Sequence, residues 1–448
     1  MDRKLTFKEY IVLASMLFGM FFGAGNLIFP VSMGQQAGSM LWPAVIGFCL
    51  TGVGIPLLGI AAMGASRCEG LFDMCLRVGR PYAYFFTSLL YLSIGPLFAI
   101  PRTATVSFSV GILPLVGAQS SAALCLFSAL FFAAVLFFSL RPSGIMTWIG
   151  KLLNPLFLFF LAVLAVTALT KPMGEISAAI PSGKYTEASF FQGFLEGYNT
   201  LDALASLAFG IVLINTIRQL GIQSPEAISA STLLSGLFSI LLMAAIYCML
   251  TVLGAQSQPV IGVSADGGEA LYRIGTHYFG RLGGVLLGCI VTIACLKTAI
   301  GLVTSCATAF TELFPRTLSY RAYAVLFCLF SFGIANFGLS RIIALSLPVL
   351  LFLYPLTITL ILLCLFGRWF GYDRRVFVCV TVFTLVPAVF DFIGALPASV
   401  TDALGGNALL TICRFLPFSS IGMSWIVPSI GGLILGLALH AKAVRKNA

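Results

Sequence analysis

Apolar residues run along almost the whole chain in stretches long enough to cross a bilayer, broken only by short turns that collect charges, prolines and small polar residues. A spanning helix needs about 20 such residues. Windows of this kind fall near 10–33, 41–64, 82–112, 121–139, 149–170, 190–214, 228–254, 282–310, 322–338, 342–366, 376–395 and 420–440. The pattern predicts an all-α integral membrane protein of about 12 transmembrane helices. The third window is long enough for a tilted helix with an extension. The ninth and tenth are separated only by a turn around Asn336-Phe337-Gly338. The longest loops, near 171–189 and 255–281, are barely long enough for a surface helix, and no soluble domain, long linker or low-complexity tract interrupts the series.

Composition agrees. Of 448 residues, 59% are apolar and 9% are charged, against about a quarter charged in soluble domains, which excludes a soluble enzyme. The net charge of +10 comes from 25 Lys and Arg. None sits in the aromatic-interleaved basic clusters that phosphate backbones require, so nucleic acid is not a partner. The basic residues are instead a topological label. Seventeen fall on the side of the N-terminus, six (Lys171, Lys184, Arg273, Arg281, Arg341 and Arg414) on the other, and Arg102 and Lys297 within spans. Positive residues prefer cytoplasmic loops, so both termini are expected in the cytoplasm. The twelve cysteines are scattered along apolar runs without a CxxC pair and read as small packing residues. Arg3, Lys4 and Lys8 mimic the start of a signal peptide, but no small-residue cleavage site follows, so the first window reads as a retained span.

Two windows break the Leu/Phe/Val/Ala pattern. The first contains Gly19-Met20-Phe21-Phe22-Gly23-Ala24-Gly25-Asn26-Leu27-Ile28-Phe29-Pro30, and the sixth contains Glu196-Gly197-Tyr198-Asn199-Thr200-Leu201-Asp202. Gly and Pro are poor helix formers, and unwound backbone inside a membrane survives only when buried in protein or lining a cavity. Glycines also serve close helix packing. However, two interruptions five spans apart fit a repeat with an odd number of helices, whose second copy runs inverted. Paired broken helices mark a transporter site near the midplane, where half-helix N-termini hold a carboxylate and freed carbonyls hold a cation.

Phe22-Gly23-Ala24-Gly25-Asn26-Leu27-Ile28-Phe29-Pro30 resembles the first-helix signature of the bacterial branched-chain amino acid carriers, the BrnQ-type LIV cation symporters. The segment 91–105 (YLSIGPLFAIPRTAT) resembles the family's third helix, Gly197-Tyr198 with Asp202-Ala203-Leu204-Ala205 its sixth, and Ala294-Cys295-Leu296 with 298–302 its eighth. The resemblance covers essentially the whole chain. It implies membership of the amino acid–polyamine–cation superfamily and a LeuT-like 5+5 inverted repeat: a first repeat over 1–170 broken near 23–26, a second over 188–366 broken near 198–202, and two accessory helices over 376–448. It further implies secondary active import of leucine, isoleucine and valine across the bacterial cytoplasmic membrane, coupled to Na⁺ or H⁺, with no cofactor and no obligate protein partner.

On this resemblance the substrate's amino and carboxyl groups meet Gly23, Ala24, Gly25 and Asn26 on the first helix and Tyr198, Asn199, Thr200 and Asp202 on the sixth. An aliphatic side chain needs a dry wall, for which Phe209 and Ala203, with Tyr91 or Ile94, are candidates. Asn26 either binds substrate or braces the unwound backbone. Asp202 either meets a cation, a substrate amine or Lys297, or caps the second half of its helix. Arg102 either closes an outer gate or sits at the outer interface. Ser109 stands where the family pattern leads one to expect an acidic residue.

A cation in this fold would sit between the carbonyls of Gly19 and Phe22 and the eighth-helix residues Ala294, Lys297 and Thr298. Na⁺ prefers oxygen ligands, yet Lys297 stands where sodium-coupled relatives offer a hydroxyl. Its ammonium either replaces the ion, carries the coupled proton, or snorkels to the inner interface. Sodium-independent or proton-coupled transport therefore stays open, as does a carrier for other neutral amino acids. A non-transporting sensor or channel of the same fold is the rival class. An enzyme is disfavoured, since no H-E-x-x-H pair, G-x-S-x-G elbow or carboxylate dyad occurs. His277 and His440 lie at or beyond span ends.

Overall fold

The computed structural model describes residues 5–116, 120–141, 145–397, 401 and 416–447, which among themselves form helices and no strand. Arg3, Lys4 and Arg414, and the side chains of Lys151 and Lys446, lie outside the described residues. The first window forms two helices, α1 (Phe7–Phe21) and α2 (Ala24–Ala37). The second forms α3 (Leu41–Cys49) and α4 (Ile55–Ala65), joined through a π-turn at Leu50–Gly54. After the short α5 (Leu71–Leu76), the third window forms α6 (Arg80–Leu92) and α7 (Ala99–Gly111), followed by the single turn α8 (Leu113–Val116). The extension expected there is a bend: Gly95 leaves helical geometry beside Pro96, which cannot donate to the preceding turn. The fourth and fifth windows are α9 (Ser121–Ser139) and α10 (Ile145–Thr170), and the sixth is α11 (Tyr185–Glu196) with α12 (Asp202–Gln219).

The remaining windows correspond to α13 (Pro225–Ile261), α14 (Gly267–Leu313), α15 (Tyr320–Ala335), α16 (Leu339–Phe366), α17 (Arg374–Gly394) and α18 (Ile426–Asn447). The loop expected over 255–281 is mostly helix. It shrinks to 262–266, after which α14 begins and bends at Gly280, whose φ of +65° suits a residue without Cβ. By length and apolarity, eight helical stretches among the described residues qualify as membrane spans, or nine with the bent sixth helix. The number falls below that of the windows because Ala24–Ala65 runs as one helical stretch across two windows, while Leu158–Thr170 and Tyr320–Ala335 are apolar but shorter. The chain is a multi-pass membrane protein.

Burial separates inner from outer helices. In the apolar 18-residue stretches of Ala24–Ala65 and Leu339–Phe370, 72% of the residues are buried, against 22% in Ser121–Ser139 and 17% in Ile426–Arg445. The outer helices therefore turn residues such as Leu126, Leu130 and Ile434 to the periphery, where lipid replaces protein as the apolar surroundings. The two ends of the bundle are tied differently. At one, Arg77 lies 4.1 Å from the Tyr372 ring, Arg368 pairs with Glu226, and His440 meets Asp373 at 2.7 Å. There Asp373 caps α17, and the hydrogen bond from His440 with the Arg375 amide holds its carboxyl below the usual range. At the other end, Gln35 donates to Ser257 and Gln258 donates to the carbonyls of Gln35 and Ile180.

Candidate functional site

The first helix stops at Phe22 and Gly23, both extended (Gly23 φ −133°, ψ −168°), and restarts at Ala24. The Gly23 N–H, which the missing turn would leave unpaired, donates to Asn26 Oδ1 at 3.1 Å. The sixth helix tightens to a 3₁₀ turn over Gly197–Thr200 and reverses at Leu201, whose φ of +63° is left-handed. That conformation costs a non-glycine residue about 1–2 kcal/mol. The two halves are bent by 45°.

Asn26 joins the two breaks. Its Nδ2 donates to Asp202 Oδ2 at 2.6 Å and to the Tyr247 hydroxyl, which in turn donates to the same carboxylate oxygen at 3.3 Å. Asn26 thus braces its own backbone through Oδ1 and reaches the site through Nδ2. Asp202 does not cap its helix. Leu201 holds the cap position, and the Asp202 N–H donates to Thr200 Oγ1 at 3.3 Å while the carboxylate turns across to Asn26 and Tyr247.

A cavity of about 60 Å³ lies between the breaks. Gly23, Ala24, Gly25, Asn26, Arg102, Thr103, Thr200, Asp202 and Thr298 line it with backbone and polar groups, and Phe21, Ile94, Ala99, Leu201, Ala205, Phe209 and Leu302 give it an apolar wall. A second cavity of about 30 Å³ lies on the other side of the first break, against Gly19, Phe22, Ala294, Lys297 and Thr298. Thr298 borders both cavities, its hydroxyl donating to the Ala294 carbonyl at 3.1 Å. Lys297 is half-buried there. Toward the end of the bundle that carries Gln36 and Asp266 opens a vestibule of about 980 Å³, lined among others by Phe29, Glu196, Asn199 and Asp391.

Several expectations change in this geometry. Tyr198 does not line the small cavity; its ring stacks on Tyr354 at 4.0 Å. Asn199 lines the vestibule rather than the small cavity, and its carbonyl accepts from Arg102 Nη1. Of the expected walls, Phe209 and Ile94 line the cavity, while Ala203 is packed elsewhere and the Tyr91 hydroxyl donates to the Ala208 carbonyl. Arg102 is not at an interface: it is 2% exposed. His440 is paired with Asp373 at 2.7 Å. Ser109 donates to Asp266 Oδ1 at 3.1 Å. An acidic residue there would face a carboxylate whose pKa burial already raises, so the serine fits its neighbour.

Tyr247, Thr103, Ala205 and Leu302 were not anticipated. Tyr247 alone left a trace in the sequence, since a hydroxyl in mid-span must find a partner. The others become wall residues only through the packing of α7, α12 and α14.

The chain belongs to a family described as branched-chain amino acid transport protein, whose model matches residues 6–443. It is 49% identical over 435 residues to the branched-chain amino acid permease BrnQ of Lactobacillus delbrueckii subsp. lactis, covering 96% of each chain. It is 40% identical to BrnQ of Bacillus subtilis, covering 98% of each. It is 38% identical to the branched-chain amino acid transport system 2 carrier protein of Pseudomonas aeruginosa, covering 96% of this chain and 95% of that one. These relatives are carriers and permeases, not enzymes. The fold is similar to that of Mhp1 in its inward-facing conformation (TM-score 0.65, 13% identity, 99% of this chain and 92% of that one). It is similar also to MhsT in complex with L-phenylalanine (TM-score 0.58, 14% identity, 98% of this chain and 100% of that one). This is a LeuT-like transporter fold.

Proposed function

We propose that this protein imports leucine, isoleucine and valine by cation symport, as a secondary active transporter working through alternating access in the bacterial cytoplasmic membrane. The names of its relatives support the substrate class. The observation that carries the reading is the bridge from Asn26 to Asp202, which holds two interrupted helices around one cavity with a polar end and an apolar end. The polar end takes the amino acid backbone at 23–26 and 200–202, and Phe209, Ala205 and Leu302 take the branched side chain. The two breaks are equivalent positions of inverted repeats over 1–170 and 188–366, with 376–448 as accessory helices. Both termini are cytoplasmic, so the 980 Å³ vestibule is the outer access route.

The coupling ion is Na⁺ or H⁺. The cavity of about 30 Å³ is roomy enough for a water-sized guest and suits a single ion. In the sodium case the carbonyls of Gly19 and Phe22 and the Thr298 hydroxyl supply the oxygen ligands such an ion prefers. In the proton case the Lys297 ammonium takes the ion's place. Leucine uptake into proteoliposomes under separately imposed Na⁺ and H⁺ gradients tests both. Saturable uptake driven by one gradient is expected, and replacing Na⁺ by choline leaves the rate unchanged if Lys297 fills the site. Strong Na⁺ dependence removes Lys297 from that role. Ion current without saturable leucine exchange would make the protein a channel and overturn the symporter reading.

A further inference from the structure

Arg102 is a guanidinium buried at 2% exposure in the middle of the bundle, where an unneutralised charge is costly. Its contacts do not saturate it. Nη1 donates to the Asn199 carbonyl and the group lies 4.9 Å from the Phe29 ring centroid, while Nε and Nη2 are buried with no hydrogen-bond partner. No ion pair within 4 Å joins Arg102 to Asp202 or Glu196 among the described residues. Guanidinium donors form a planar fork that matches a carboxylate.

Arg102 lines the same 60 Å³ cavity as Asp202. Gly25 borders it: a Cβ there would touch Nη1 at 3.7 Å and press on the Phe29 ring, which stacks against the guanidinium, at 3.2 Å. The geometry points to Arg102 as the residue that binds the α-carboxylate of the transported amino acid, with Asp202 serving the α-ammonium. The inference rests on the reading of this cavity as the amino acid site. A zwitterion carries both charges on one carbon, and a cavity with one buried cation and one buried anion neutralises both when it enters. The ligand then satisfies the two donors that the protein leaves open.

The test compares leucine with leucinamide, in which a neutral amide replaces the carboxylate, as competitors of radiolabelled leucine on the purified full-length protein. Ligand-induced thermal stabilisation serves as the direct reading for weakly binding variants. The wild type is expected to prefer leucine by at least about 10-fold. Arg102→Gln should weaken leucine on the order of 10- to 100-fold and leave leucinamide nearly unchanged, bringing the ratio toward one. Arg102→Lys should keep part of the preference, and it supplies the same comparison if the Gln variant does not fold. The proposal is overturned if a folded Arg102 variant keeps the wild-type ratio, or if leucine and leucinamide weaken alike, which would make Arg102 a gate or a packing residue. Failure of the wild-type protein to bind leucine would be a different result, removing the amino acid reading of the cavity itself.

Discussion

The Asn26 amide on one interrupted helix and the Asp202 carboxylate on the other meet at 2.6 Å, although 176 residues separate them in sequence. Asp202 reaches across from the second break without capping its own helix. Asn26 Oδ1 also satisfies the Gly23 N–H, so one side chain fixes the first break and ties it to the second. Charge-assisted bonds of this kind contribute about 1.5–3 kcal/mol when buried.

Asp202→Asn keeps an acceptor for Asn26 and removes the charge. Leucine affinity should fall on the order of 10- to 100-fold while thermal unfolding in detergent shifts little. Wild-type leucine binding by this variant would exclude Asp202 as the partner of the substrate amine.

Gly25→Val should abolish leucine uptake and Gly25→Ala should weaken it, because the new Cβ meets the Phe29 ring at 3.2 Å. Gly301→Ala is the control, since nothing lies within 4 Å of its Cβ position. Equal loss at both sites in transport assays would mean that stiffening of the backbone, not the contact with Phe29, sets the effect.

Phe209→Ala should enlarge the apolar end of the cavity. Competition assays are expected to show larger neutral amino acids such as methionine and phenylalanine gaining on valine by about 10-fold or more, since one methylene in such a pocket is worth about 1–3 kcal/mol. An unchanged selectivity order would show that Phe209 is packing alone.

The Asp373–His440 contact at 2.7 Å predicts an acid-side effect on stability. The bond from His440, and then the Arg375 amide, depress the carboxyl's pKa in the folded protein. Its stabilisation is therefore present above the unfolded carboxylate value of about 3.9 and is lost as pH falls through the lower folded value. Asp373→Asn should lower the melting temperature slightly at neutral pH and converge with the wild type in acid. A constant difference across the range would assign the loss to the cap on α17 rather than to the charge.

The sequence by itself determined that the chain lives in a membrane, which stretches are apolar enough to cross it, and where two of them break. Those properties are local: apolar runs, Gly-Pro chemistry and the siting of basic residues are written in consecutive positions. It also placed Asn26, Asp202, Phe209, Lys297 and Thr298 on the segments that border the two small cavities. Only the tertiary structure decided which groups face which. In the turn that ends at Leu201, Tyr198 stacks on Tyr354 and the Asn199 carbonyl meets Arg102, outcomes that no residue spacing encodes. Tyr247 joins the site because α13 packs against α2, and Arg102 is a buried donor rather than a boundary charge because α7 is packed among α14, α9 and α2. A buried charge is costly wherever it sits, and its partner is fixed by packing between helices rather than along them.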